Sequence, residues 1–295
     1  MTPRERLGKR MFVILGTLTV LGKLGGVWHG NWLASLSLAL AVPFLWHGYV
    51  WLRWLVGGAC VLSGVRALLA FGRTLADFDV PGESLDGAGV IGLVDVIVGF
   101  AFLFLPNVQA FFRYQRQGPL TGMARAGGLS STLPIRRGSV SQLMAAGGWG
   151  LALGGGGGVL VSAQNTRLGE FDLGLQEVLV FVLVGAAIGG LLGVVAGLAV
   201  GAAQPKSRQS TVRLAVTRGL IAAGACVITM VVLYAIWGSL FGFHPAPIFG
   251  GAPPGWDAAG LTAVYSVIFL GLPVAVAGFV VGGAVAVLMH ENSWH

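Results

Sequence analysis

Charged side chains are what this chain has least of: they make up 10% of its 295 residues, where a soluble domain carries about 25%. Hydrophobic residues reach 55% and the mean hydropathy is +0.82. A soluble fold of that composition would expose large apolar patches to water, so the solvent is a bilayer. Cysteine is nearly absent as well. Cys60 and Cys226 lie in separate apolar runs and are expected to pack as small apolar side chains, so they say nothing about redox compartment. Ten-residue segments of alternating polarity are missing, and with them an outer-membrane barrel. No Ser-His-Asp set, H-E-x-x-H, phosphate loop or carboxylate pair occurs, so an enzyme is not expected. No histidine falls in the middle of an apolar run: His29 and His244 fall on one side of the membrane and His47, His290 and His295 on the other. No haem or metal site is therefore assembled, and no cofactor is evident.

The chain is rich instead in apolar runs close to the roughly 20 residues that cross a bilayer as helix. They predict an all-α polytopic bundle of eight spans, at 11–28, 32–48, 50–71, 89–112, 143–163, 175–203, 214–240 and 260–289. The second is short and tightly joined to the third, so the range is six to eight. Arg4, Arg6, Lys9 and Arg10 precede an apolar run in the manner of a secretory leader. No A-x-A-like cleavage site follows and Lys23 interrupts the run, which predicts an uncleaved first span.

Charge placement sets the orientation. With the N-terminus in the cytoplasm, all of the 18 basic residues except Lys23, Arg66, Arg73 and Arg167 fall at cytoplasmic ends. Asp77, Asp79, Glu83, Asp86, Glu170, Asp172 and Asp257 fall in outer loops. The positive-inside rule then predicts an inner (plasma) membrane protein with both termini cytoplasmic. Trp28, Trp32, Trp46, Trp51, Trp54, Trp237 and Trp256 mark span ends, where indoles prefer the headgroup level. The basic residues are divided among separate loops without an aromatic-interleaved patch, so nucleic acid is not an expected partner.

Residues 114–142 are the longest polar stretch and lack acids altogether. They divide the chain into an N-terminal four-span half (1–113), a basic cytoplasmic linker (114–142) and a glycine-rich C-terminal four-span half (143–295). No sequence repeat relates the halves, which weakens an inverted-repeat transporter argument.

Small residues recur at helical spacing in the C-terminal half. Gly185, Gly189, Gly193, Gly197 and Gly201 form a ladder at every fourth position. Ala146, Gly150, Gly154, Gly158 and Ser162 form a second, and Gly278, Gly282 and Ala286 a third. In lipid, such stripes let helix backbones approach closely, so they predict glycine-zipper packing within the chain or, as an alternative, an oligomer interface. The run Gly154 to Gly158 lowers helix propensity by about 1 kcal/mol per glycine relative to alanine, leaving packing or a helix break as its two readings. Pro273 is expected to kink the last span.

Lys23, Arg66 and Asp95 are the charges that lie deeper than a span end. Such groups are expensive in lipid unless paired or hydrated, so they predict an intramembrane ion-pair cluster, with an ion or solute path as the alternative. The acidic loop at 77–86 departs from the EF-hand spacing, and Gly-Ala-Gly-Val-Ile-Gly at 87–92 is an accidental G-x-G-x-x-G that runs into a span. The Pro-rich outer loop 241–259 reads as an interfacial cap on the helices. The expected function is non-enzymatic: a packing or assembly subunit of a larger membrane complex, in contact with lipid and with a membrane-protein partner or a second copy. The alternative is a small-solute or ion transporter.

Overall fold

The apolar runs that are described are helices in the computed structural model, which describes residues 2–24, 41, 45, 50–76, 88–117, 140–168, 175–202, 211–243 and 252–292. The helices are α1 (Pro3–Leu24), α2 (Val50–Ala76), α3 (Ala88–Phe104), α4 (Pro106–Gln117), α5 (Val140–Leu168), α6 (Leu175–Ala202), α7 (Thr211–Phe241) and α8 (Trp256–Asn292). Among the described residues the one extended contact is Phe243 with Ala252, paired through two 2.9 Å backbone hydrogen bonds. The fold is all-α.

Local chemistry explains the helix ends. At α1, Glu5 N–H donates to Thr2 Oγ1 (3.3 Å) and Thr2 N–H to Glu5 Oε2 (2.6 Å). This reciprocal capping box satisfies donors the first turn leaves free, with Pro3 at the position that needs none. Glu177 and Asp257 place negative charge in the first turns of α6 and α8, where the helix dipole favours it. Gly242, at φ 83°, stops α7 in the left-handed region that costs glycine nothing.

Five described helices contain stretches long and apolar enough to cross a membrane: Trp51–Leu69, Val140–Ala163, Glu177–Ala202, Arg213–Phe241 and Trp256–Met289. The pair Ile91–Phe104 and Pro106–Gln115, bent by 55°, makes a sixth if it is one broken span. The expected span 89–112 is thus interrupted. Pro106 has no amide hydrogen and disfavours helical geometry at Leu105, so the chain turns there. Gln109 Nε2 donates to Leu103 O at 2.9 Å and covers one of the carbonyls freed by the break. Of the eight expected spans, 11–28 corresponds to α1 as far as Leu24, and its last residues lie outside the described ones. The charges in the first turns of α1 leave too short an apolar stretch for it to join the five. The expected span 32–48, apart from residues 41 and 45, also lies outside them, as do Trp28, Trp32, Trp46, residues 118–139 of the linker 114–142 and the acidic loop 77–86.

The chain forms two compact units, residues 1–136 with 156–187 and residues 137–155 with 188–295, so α5 and α6 contribute to both. In the first unit α2 packs on α3 and α1 on α4. Phe12 is the centre of an aromatic core, with ring centroids 5.8, 5.7 and 5.4 Å from Phe102, Phe111 and Phe112. On α4 the buried Val108, Phe111 and Phe112 share one face, while Arg113 and Tyr114 are exposed. Spacings of three and four residues produce that division in a helix.

In the second unit α7 and α8 form an extensive pair. Outward-facing Ile228, Val232, Ile236, Val264, Ile268 and Leu272 are exposed, as lipid-facing side chains are. Exposed Trp51, Trp237 and Trp256 lie at or near the ends of their helices.

Candidate functional site

The expected packing residues and the expected charges occupy different places. In the second unit, a Cβ built at Gly150 would fall on the carbonyl oxygen of Gly193, and one at Gly154 on that of Gly189 and 2.7 Å from Gly193 Cα. A Cβ at Gly197 would lie 2.8 Å from the carbonyl carbon of Ala146, and one at Gly201 3.2 Å from Ala146 Cβ. In the first unit, a Cβ at Gly185 would meet Ser162 and lie 2.9 Å from Gly158 O. These pairings step down one helix as they step up the other, so α5 and α6 run antiparallel with small residues in register. The helix α5 continues unbroken through Gly154 to Gly158. Close packing replaces the propensity those glycines lose.

The α7–α8 contact follows the same rule. A Cβ at Gly278 would lie 3.0 Å from Cys226 Sγ and 3.1 Å from Ala223 Cα, and one at Gly282 would meet Ala222 and lie 3.2 Å from Arg218 O. Two polar groups tie α7 to α6. The buried Arg218 donates through Nη1 to Val200 O at 2.6 Å, a carbonyl in the last turn of α6, and Cys226 donates to Leu192 O at 3.3 Å. A cation at a helix C-terminus complements its dipole.

A further small-residue seam, not anticipated from the sequence, joins α2 to α3. A Cβ at Gly64 would lie 2.5 Å from Gly92 O, and one at Gly99 2.7 Å from Gly57 O. Gly57 and Gly64, like Gly92 and Gly99, are seven residues apart, a spacing that returns to nearly the same helical face.

The charge site lies beside this seam, in the first unit. Lys23, in the last turn of α1, places Nζ 2.6 Å from Asp95 Oδ2. Ser63 on α2 donates to the same oxygen at 3.2 Å. The Asp95 side chain is 8% exposed and that of Lys23 26%. Three helices therefore supply one cation, one hydroxyl and one carboxylate, and the pair is charge-neutral. Arg66 is exposed on α2, and among the described residues Asp95 takes its contacts from Lys23 and Ser63 instead. Ser63 has no signal in the sequence beyond being one polar residue in an apolar run.

Beside the pair is a cavity lined by Leu18, Thr19 and Gly22 of α1, Ile91 and Val94 of α3, and Leu160 of α5. Its volume of about 10 Å³ admits at most one water. Among the described residues no group of three or more His, Cys, Asp or Glu converges as metal ligands would.

Comparison of the chain with protein-family models, characterised proteins and solved structures gives no significant match.

Proposed function

We propose that this multi-pass membrane protein is a non-enzymatic packing or assembly subunit of a larger membrane complex. The observation that supports the reading most directly is the state of its deep charge. Lys23 and Asp95 neutralise each other at 2.6 Å, beside a cavity of about 10 Å³ that a solute larger than water cannot enter. Backbone-to-backbone helix contacts make a stiff scaffold, because a seam of glycines leaves no side chain to rearrange. Large apolar side chains remain outside, among them Leu183, Val184, Leu191 and Leu198 on α6, where lipid or a neighbouring membrane protein covers them. In this reading the protein resides in the inner (plasma) membrane with both termini cytoplasmic, and needs no cofactor.

Extraction of the full-length protein from native membranes in mild detergent, with cross-linking and quantitative mass spectrometry, tests this. A subunit brings the same partner at fixed stoichiometry through successive purification steps. Recovery as the bare chain or its homo-oligomer alone would overturn the proposal. The second reading, a small-solute or ion transporter, draws on the same Lys23–Asp95 pair, since an ionisable pair within a span is also what a coupled ion path uses. Flux in proteoliposomes that is lost in Asp95→Asn would favour it.

A further inference from the structure

Arg53 is a cation that lies against aromatic faces and has no anion beside it among the described residues. It lies in the first turn of the Trp51–Leu69 span and is 9% exposed. Its guanidinium carbon is 5.7 Å from the ring centroids of both Trp54 and Phe112. Ring faces attract a cation but leave its charge uncancelled. The buried Nε meets no hydrogen-bond acceptor among the described residues. Arg113 of α4, the residue after the Phe112 that Arg53 contacts, carries a charge of the same sign. The acids on α1 to α4 are Glu5 and Asp95, and both are engaged, with Thr2 and with Lys23 and Ser63. Arg113 is exposed near the end of the bent pair that closes at Gln115, so both guanidinium groups belong to span ends, the depth of lipid headgroups.

We propose that Arg53 and Arg113 together bind a phosphate anion at the membrane surface. Planar guanidinium forks match phosphate oxygens, and two of them offset the charge of one phosphodiester better than either alone. Nε of Arg53 is sealed, so its terminal nitrogens donate, while Arg113 closes on the anion from the aqueous side. The phosphodiester of an anionic phospholipid and a soluble phosphate share this chemistry. Exposed Trp54 and Phe104, in edge contact at 6.2 Å, flank Arg53 with an apolar surface suited to an acyl chain, which favours the lipid.

The test is the melting temperature of the purified full-length protein in neutral detergent, with added phosphatidylglycerol, phosphatidylcholine or inorganic phosphate. Phosphatidylglycerol is expected to raise it more than phosphatidylcholine does. Arg113→Gln, an exposed change that leaves packing intact, is expected to remove more than half of that advantage, and Arg53→Gln likewise. Arg53→Lys, which keeps the charge without the fork, takes its place if Arg53→Gln fails to fold. A rise with inorganic phosphate that vanishes in the same variants supports the anion site and identifies a soluble source. The proposal is overturned if Arg113→Gln retains the full advantage. It is equally overturned if exposed Arg4→Gln loses as much, since general surface charge then explains the effect.

Discussion

Gly193 and Gly150 face each other so closely that neither position has room for a side chain. A Cβ at Gly193 would lie 2.8 Å from the carbonyl carbon of Gly150 and 2.9 Å from Cα of Gly154. Leucine inserts into a membrane at least as well as glycine and forms helix better, so a helix facing only lipid gains from Gly193→Leu. Across this seam the added atoms must push two backbones apart, at a cost of about 1–3 kcal/mol. We expect Gly193→Leu to insert normally but to lower the melting temperature in detergent, with Val194→Leu, off the seam, close to wild type. Equal melting of both variants and wild type would rule out the close pairing of α5 and α6.

The α2–α3 seam gives a prediction with opposite signs at two glycines of one helix. A Cβ at Gly64 would lie 2.5 Å from Gly92 O and 2.8 Å from Val96 N, whereas one at Gly58 would meet nothing within 4 Å. Helix propensity alone favours alanine at both positions by about 1 kcal/mol. Gly58→Ala is therefore expected to be neutral or stabilising, and Gly64→Ala destabilising, in thermal unfolding of the purified protein. A gain of stability at Gly64 would mean that α2 and α3 sit further apart.

These seams differ in how plainly the sequence displays them. On α5 and α6 small residues recur every fourth position, and those are the residues that approach across the pair. On α2 and α3 the seam glycines, Gly57 with Gly64 and Gly92 with Gly99, are seven positions apart, and a search for four-residue ladders passes over them. Hydropathy averaged over a span conceals the break at Leu105, although Pro106 is in plain view. Charge shows a related limit. That Lys23, Arg66 and Asp95 fall within apolar runs is plain in the sequence, but a place along a run says nothing about direction around the helix. Lys23 reaches Asp95, Arg66 stays exposed, and Ser63 completes the carboxylate's contacts. The aromatic setting of Arg53 depends on the turn between α3 and α4 and has no local sequence signal.

The Lys23–Asp95 contact is open to a double-mutant cycle. Lys23→Gln leaves the carboxylate of Asp95 at 8% exposure without its cation. Removing one member of a buried pair costs about 3–5 kcal/mol, and the low end applies because the Lys23 side chain keeps 26% exposure. Adding Asp95→Asn removes the stranded charge and should recover part of the loss, giving a coupling energy of at least about 1 kcal/mol. Arg66→Gln alone should change stability by less than about 0.5 kcal/mol, as exposed substitutions do. Additive effects at Lys23 and Asp95 would count against the pair. Strong coupling between Arg66 and Asp95 would replace it with a different one.

Orientation in the membrane is the last expectation to test, and its argument rests on where positive charge stops. No Lys or Arg follows Arg218, so the loop between α7 and α8 carries no basic residue, and the first charge after it is the acidic Asp257 in the first turn of α8. Gln117, at the end of α4, follows Arg113 and Arg116 and precedes Arg125, Arg136 and Arg137. The positive-inside rule puts the two positions on opposite sides of the membrane, with Gln117 in the cytoplasm. A membrane-impermeant maleimide applied to intact cells should label Ala252→Cys, and should label Gln117→Cys only after permeabilisation. The native Cys60 and Cys226 are buried within helices, so they add little background. Labelling of Gln117→Cys in intact cells with Ala252→Cys protected would reverse the orientation and move Arg53 and Arg113 to the outer face.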